Sequence, residues 1–319
     1  MRFFLKNIVV WISSLVLFLI IPILIISEYD NYDKSVSVNN NIISLQTKSQ
    51  FDDLDVLFVG SSYCYSSINP KILDSANIKS YNLGIATAGV EFTELIINDY
   101  LNNIKNYPPK IFITISPMIF SNVSDNYESY PIHRYLENPF SNIEIASKYQ
   151  HWQNLSKMYK KSFKKGLRNL KSSLLPANII VDEQTGRISK QIIYKGFIES
   201  SVVYSDSIEQ KDKYLYTKFK EEQFDSSIYF NLLKLHQNLN EKGIDIIFLE
   251  IPTNRLYNYF SSAFIRNYEK LITTLDEHTQ ILRLDSSKFQ MSNYRNIDHM
   301  NSSGALIATK EIIHFLENK

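Results

Sequence analysis

Residues 56–70 read VLFVGSSYCYSSINP. Together with Asp55, the first four make a short, continuous apolar run, DVLFV, closed by Gly60. A run of that length without polar alternation is the pattern of a strand buried on both faces. Gly60 permits a tight turn at its end and leaves room beside the serine hydroxyls that follow. Asn69 and Pro70 then make a helix start, with Asn69 as N-cap and Pro70 at the first helical position of a short helix over 69–75.

Working outward, the same strand-then-helix rhythm continues. A second short strand is predicted over 79–83 (KSYNL), a helix over 90–103 and a strand over 110–116 (KIFITIS) after Pro108 and Pro109. A helix over 226–242 ends at Gly243 as a C-cap. The strongest strand, IDIIFLEI over 244–251, is closed by Pro252. A mostly helical stretch over 256–277, a last strand over 280–284 and a last helix over 302–317 complete the chain. Strands alternating with helices imply a three-layer α/β fold with a flavodoxin-like parallel sheet. Ligands of such sheets sit at the carboxyl ends of the strands. The loops that matter are therefore 60–67, 84–89, 116–121, 252–255 and 285–301.

Two regions stand apart from this pattern. Residues 8–27 read IVVWISSLVLFLIIPILIIS, twenty residues without a charge, long enough to span a bilayer at ~1.5 Å per residue. Arg2 and Lys6 precede the run, while Glu28, Asp30 and Asp33 follow it, so an N-terminus inside and a domain outside is the expected orientation. No small-residue cleavage pattern ends the run, which favours an anchor over residues 1–27 rather than a removed signal peptide. Residues 28–52 are polar and read as a tether, and 53–319 as the main domain. Residues from about 118 to 225 carry no clean period and read as a mostly helical insertion. Within it, residues 157–171 (KMYKKSFKKGLRNLK) hold seven basic residues and no acid. This is a solvated helix face, or a contact for anionic lipid or acidic glycan.

Composition narrows the chemistry. A net charge of +1 gives no bulk attraction for nucleic acid. One cysteine, Cys64, excludes a disulfide within the chain and reads as a small buried residue. The six histidines (His133, His151, His236, His278, His299 and His314) show no paired spacing, so no metal or other cofactor is expected.

A serine at the carboxyl edge needs a base, because its hydroxyl is a weak nucleophile until a neighbour takes its proton. His299 is the candidate, lying after the last strand and just before the last helix, with Asp298 or Asn296 to orient its ring. Residues 56–70 resemble the first block of the SGNH/GDSL hydrolase superfamily, with Gly60 at the glycine, Ser61 in the middle and Ser62 at the nucleophile. Ser61 is the rival nucleophile if the register moves by one. Gly-Ser-Ser in place of Gly-Asp-Ser also resembles the membrane-associated, acetyltransferase-like branch that acts on polysaccharides. Residues 81–89 (YNLGIATAG) resemble the second block, which implies oxyanion N–H groups at Ser62, Thr87 and Gly89. Residues 296–305 (NIDHMNSSGA) resemble the last block.

Three departures from the family pattern are visible. The last block usually reads Asp-x-x-His, whereas here Asn296 stands three before His299 and Asp298 directly before it. Asp298 orients the ring, or Asn296 does, or the site is a Ser-His dyad. Thr87 stands where the second block has its glycine, with Gly89 two residues on. The third block's Gly-x-Asn-Asp is absent, and Ser116 is the nearest polar group. One lost oxyanion donor is worth on the order of 3–4 kcal/mol of transition-state stabilisation.

The resemblance implies serine-dependent transfer or hydrolysis of an O-acyl group, acetyl above all, on an extracytoplasmic cell-surface glycan. Ser116 and Arg255 are candidate substrate contacts, and the aromatics Trp152, Tyr127, Tyr130 and Tyr135 are candidate stacking partners. The other reading is an inactive SGNH-like protein that binds a glycan or a partner in an envelope polysaccharide assembly system. A lipid head-group ester is a third substrate class.

Overall fold

The structure is a computed structural model of the 319-residue chain and describes residues 53–85, 88–121, 179–181, 188–190, 193–205, 208, 223–254 and 256–318. The expected anchor (1–27) and tether (28–52), most of the insertion with its basic run, Thr87, Trp152 and Arg255 lie outside the described residues. Among the described residues no helix is long and apolar enough to cross a membrane.

The chain divides into two compact units. One takes in Met1–Asn40 and Phe140–Lys190; its described residues are an antiparallel hairpin of β4 (Ile179–Val181) and β5 (Ile188–Lys190). The other takes in Asn41–Pro139 and Gln191–Lys319 and holds the main sheet and everything described below.

Five parallel strands form that sheet: β1 (Val56–Gly60), β2 (Ser80–Gly84), β3 (Lys110–Ile115), β8 (Asp245–Glu250) and β9 (Gln280–Arg283), in the order β2-β1-β3-β8-β9. A short hairpin of β6 (Ile193–Tyr194) and β7 (Phe197–Ile198) lies in the same unit. The flavodoxin-like order follows from the apolar runs. β1, β2 and the last five residues of β3 are buried throughout, and Phe58 stacks on Phe112 across β1 and β3 at 5.1 Å. The chain steps from β1 to β2 on one side and then returns to β3 on the other. The carboxyl end of β1 is therefore the switch point at which such sheets open a crevice.

Among the described residues six helices accompany the strands: α1 (Ser62–Ser67), α2 (Pro70–Ser75), α3 (Val90–Asn103), α4 (Ser227–Asn240), α5 (Ser262–His278) and α6 (Ser302–Glu317). The start of α2 is as expected, with Asn69 Oδ1 accepting from the Lys71 N–H at 3.0 Å and Pro70 in the first turn. Gly89 is the N-cap of α3.

Two expectations are corrected. The stretch after Gly60 is the helix α1 and not a loop: Ser61 caps it, and Tyr63, Cys64, Ser66 and Ser67 are buried. Six residues rich in Ser, Tyr and Cys carry little helix propensity, so packing makes this helix. The helical stretch over 256–277 is two pieces, a 3-10 turn Leu256–Tyr259 and then α5, separated where Ser261 caps α5 by accepting from the Phe264 N–H at 3.1 Å. Between residues 118 and 225 the described elements are a 3-10 turn at Pro117–Phe120 and the β4–β5 and β6–β7 hairpins; most of the expected insertion, and with it its helical character, lies outside the described residues.

Candidate active site

The site begins with how β1 ends. Gly60 adopts φ +139°, and a Cβ there would fall 2.1 Å from Thr114 Oγ1 on the neighbouring β3. Only glycine lets the chain turn this close to β3. Ser61 follows with extended backbone, and its Oγ accepts from the Tyr63 N–H at 3.4 Å, capping α1. Ser61 is therefore occupied as a cap, and Ser62, the first residue of α1, is the serine turned toward the edge. Its position in the first turn leaves the Ser62 N–H without an acceptor inside the helix.

Asn82 fixes α1 from below. Buried in β2, it donates through Nδ2 to the carbonyls of Cys64 and Ile68, both at 2.9 Å, while its Oδ1 accepts from the Gly84 N–H at 2.9 Å and from Cys64 Sγ at 3.0 Å. Gly84 in turn lets β2 meet α1, since a Cβ there would lie 2.5 Å from the Tyr65 nitrogen. Cys64 is buried, as expected, and burial pushes its thiol well above the ordinary range, so it stays protonated and is no nucleophile.

His299 reaches the same place from the other end of the chain. Its Nε2 lies 2.7 Å from Ser62 Oγ. On the far side of the ring, Asp298 Oδ1 lies 2.5 Å from Nδ1, and the Asn296 amide lies at 3.1 Å through Nδ2 and 3.3 Å through Oδ1. A carboxylate at Nδ1 places the ring proton there and leaves the Nε2 lone pair facing the serine hydroxyl. Asn296 serves a second purpose: its Oδ1 accepts from the His299 N–H at 2.7 Å and holds the backbone of the loop. Of the three arrangements open in the sequence, the structure brings Asp298 and Asn296 together on one ring nitrogen, with the charge supplied by Asp298.

Tyr63 completes the arrangement and was not singled out in the sequence. Its ring stacks on His299 with centroids 5.3 Å apart and planes 13° from parallel, and its hydroxyl donates to Asp298 Oδ2 at 3.2 Å. Tyr63, directly after Ser62, thus holds both the His299 ring and the Asp298 carboxylate. The only signal in the sequence is an aromatic beside a candidate nucleophile, which core packing explains equally well. The His299 side chain is 14% exposed and Asp298 5%, so the ring keeps an accessible edge while the carboxylate is shielded.

The remaining expected residues are placed as follows. Gly89 is buried at the end of the loop after β2, and that loop is tied to the nucleophile turn by the Ile85 N–H donating to the Gly60 carbonyl at 2.8 Å. Ser116 ends β3, and its hydroxyl is buried without a hydrogen-bond partner among the described residues. Ser116 follows β3 two residues beyond Thr114, the residue against which Gly60 turns. Thr87 and Arg255 lie outside the described residues. Among the described residues no group of three or more His, Cys, Asp or Glu side chains could hold a metal ion.

No protein-family model matches the chain, and no curated protein matches it. Among solved structures it is similar to a candidate platelet activating factor from Streptococcus pneumonia, at 12% identity and TM-score 0.43 over 88% of this chain and 94% of that one. It is also similar to a candidate acylhydrolase from Bacteroides fragilis, at 11% identity and TM-score 0.41 over 86% of this chain and 93% of that one. An acetyl xylan esterase from the rumen bacterium Butyrivibrio proteoclasticus matches at 11% identity and TM-score 0.35 over 83% of this chain and 64% of that one. The chemical reading of the site rests on its own distances.

Proposed function

We propose that the protein is a serine-dependent acyl-transfer enzyme of the SGNH type, acting on O-acyl esters, acetyl above all, of an extracytoplasmic glycan. The observation that carries the chemistry is the 2.7 Å contact between Ser62 Oγ and His299 Nε2, with Asp298 behind the ring. In this reading Ser62 Oγ attacks the ester carbonyl as His299 Nε2 takes its proton, and the imidazolium formed is stabilised by Asp298. The Ser62 N–H, the Gly89 N–H and the Ser116 hydroxyl are the donors assigned to the oxyanion. His299 returns the proton to the departing alkoxide, leaving an acyl group on Ser62. Water then completes hydrolysis, or a sugar hydroxyl completes transfer, with His299 again as base. The glycan, the acetyl group, the membrane anchor and the extracytoplasmic site come from the sequence readings given above. The buried, unpartnered Ser116 hydroxyl supports a donor where the family's third-block asparagine is missing.

The test is a fluorophosphonate probe on the full chain purified in mild detergent, with peptide mapping of the adduct. We expect a single adduct on Ser62 that His299→Ala abolishes. A folded chain that takes no adduct would give precedence to the glycan- or partner-binding reading.

A further inference from the structure

Beyond β8 and β9 the carboxyl edge opens into a second cleft of about 520 Å³, within the ordinary range of small-molecule sites. Neither Ser62 nor His299 lines it. Its floor is Glu250, whose Oε1 accepts from the hydroxyls of Tyr268 at 2.6 Å and Tyr257 at 3.1 Å. Arg283 lies between two carboxylates, with Nε 3.4 Å from Glu250 Oε2 and Nη1 3.8 Å from Glu269 Oε2. Among the described lining residues two acids share one guanidinium, for a net charge of −1. In the wall, Thr253 Oγ1 and Asn254 Nδ2 are buried without a hydrogen-bond partner among the described residues. Such groups cost roughly 1–3 kcal/mol each if nothing meets them.

These features select a class of occupant. Two carboxylates against one arginine disfavour an anion. A divalent ion wants several oxygen ligands, and no group of three acidic or histidine side chains stands together among the described residues. A purely apolar ligand leaves Thr253 and Asn254 unmet. A group whose hydroxyls both donate and accept suits all of them: it donates to Glu269 and accepts from Asn254 Nδ2, Thr253 and Arg283. The rings of Tyr257 and Phe289 on the same wall offer faces for C–H contacts. We infer that this cleft is a binding site for a neutral sugar residue.

Its place relative to the nucleophile gives the site a purpose. β8 lies two strands from β1, about 10 Å at the usual strand spacing. Tyr294, in the cleft wall, donates to the Pro252 carbonyl at 3.2 Å and pairs with Met300, with His299 in the loop between them. A sugar seated here is a neighbour of the sugar that bears the acyl group, and it sets which hydroxyl meets Ser62. That link rests on the acyl-transfer reading, whereas sugar binding by the cleft does not.

The test uses the full chain carrying Ser62→Ala, so that nothing turns over. It is titrated calorimetrically with neutral tetrasaccharides of β-1,4-linked xylose, glucose and N-acetylglucosamine, each plain and O-acetylated. We expect at least one to bind, and Asn254→Ala and Glu269→Gln each to weaken it tenfold or more with unchanged unfolding midpoints. Thr253→Val, nearly isosteric, serves if either variant fails to fold. No binding by any tetrasaccharide overturns the inference, and so does binding that none of the cleft variants weakens. Binding of a cationic chitosan tetramer alone would replace the sugar site with an amine site. A chain that binds the sugar yet takes no probe on Ser62 would sink the acyl-transfer reading and leave the cleft standing.

Discussion

The two halves of the reacting pair are held in different ways. Ser62 sits between a buried strand and a helix, at a turn shaped by Gly60 and packed against β3. His299 sits in a loop between β9 and α6 whose regular structure is two single 3-10 turns, Ser286–Lys288 and Met291–Asn293. Side chains do there what backbone does at Ser62. Asn301 is the main one: its Oδ1 caps α6 by accepting from the N–H groups of Ser303 at 3.0 Å and Gly304 at 3.2 Å. Its Nδ2 donates to the carbonyls of Ser292 at 2.8 Å, Val202 at 3.1 Å and Tyr294 at 3.2 Å. A serine on a helix packed against buried strands and a histidine in a loop braced by Asn301 should fail differently when disturbed.

The largest expected effect treats the halves as one unit. Ser62→Ala and His299→Ala should each lower kcat/KM for an aryl acetate by about 10⁴ or more, and the double variant should be no worse than either. Additive losses would show that the two do not act together. Next, Asp298→Asn should cost about 10²–10⁴ in kcat through loss of the charge at Nδ1, and Asn296→Ala at least tenfold less. A reversed order would make Asn296 the orienting group.

The sharpest contrast comes from the two buried amides. Asn301→Ala removes a cap and several loop bonds and should lower unfolding free energy by about 3 kcal/mol. It should also lower kcat well below the melting temperature, because the loop loosens before the fold does. Asn82→Ala should lower stability by a similar amount, read by chemical denaturation, while kcat per folded molecule stays within a few-fold. Equal kcat losses would erase the distinction between the two halves. The smallest effect is Tyr63→Phe, which keeps the stacked ring and removes the hydroxyl from Asp298. It should cost about five- to tenfold, roughly 1 kcal/mol.

The same division explains what was legible in the sequence. Continuous apolar runs at residues 55–59, 110–116 and 244–251 have one stable use, a buried parallel strand, so the sheet could be read directly. The Asn69–Pro70 cap was legible because capping is local chemistry. α1 was not, because its stability comes from Asn82 and from burial against β2, eighteen residues away from Cys64 along the chain. The pairing of Ser62 with His299 could be inferred because each follows a strand, at the carboxyl edge of the sheet. The clamp by Tyr63 could not, since its partner Asp298 stands 235 residues further on. The cleft beyond β8 and β9 was hidden for the same reason: Glu250, Glu269 and Arg283 converge only once the sheet is built.

Cys64, the lone thiol of the chain, also makes the protein its own gauge. Sealed under α1 two residues from Ser62, it is reached by a thiol reagent such as Ellman's reagent only when that helix lifts. The labelling rate of the untouched protein therefore times the opening of the nucleophile's own support. Because burial holds the thiol protonated while an unfolded thiol ionises near pH 9, each opening above that pH releases a proton. Stability should accordingly fall as the pH rises past that point.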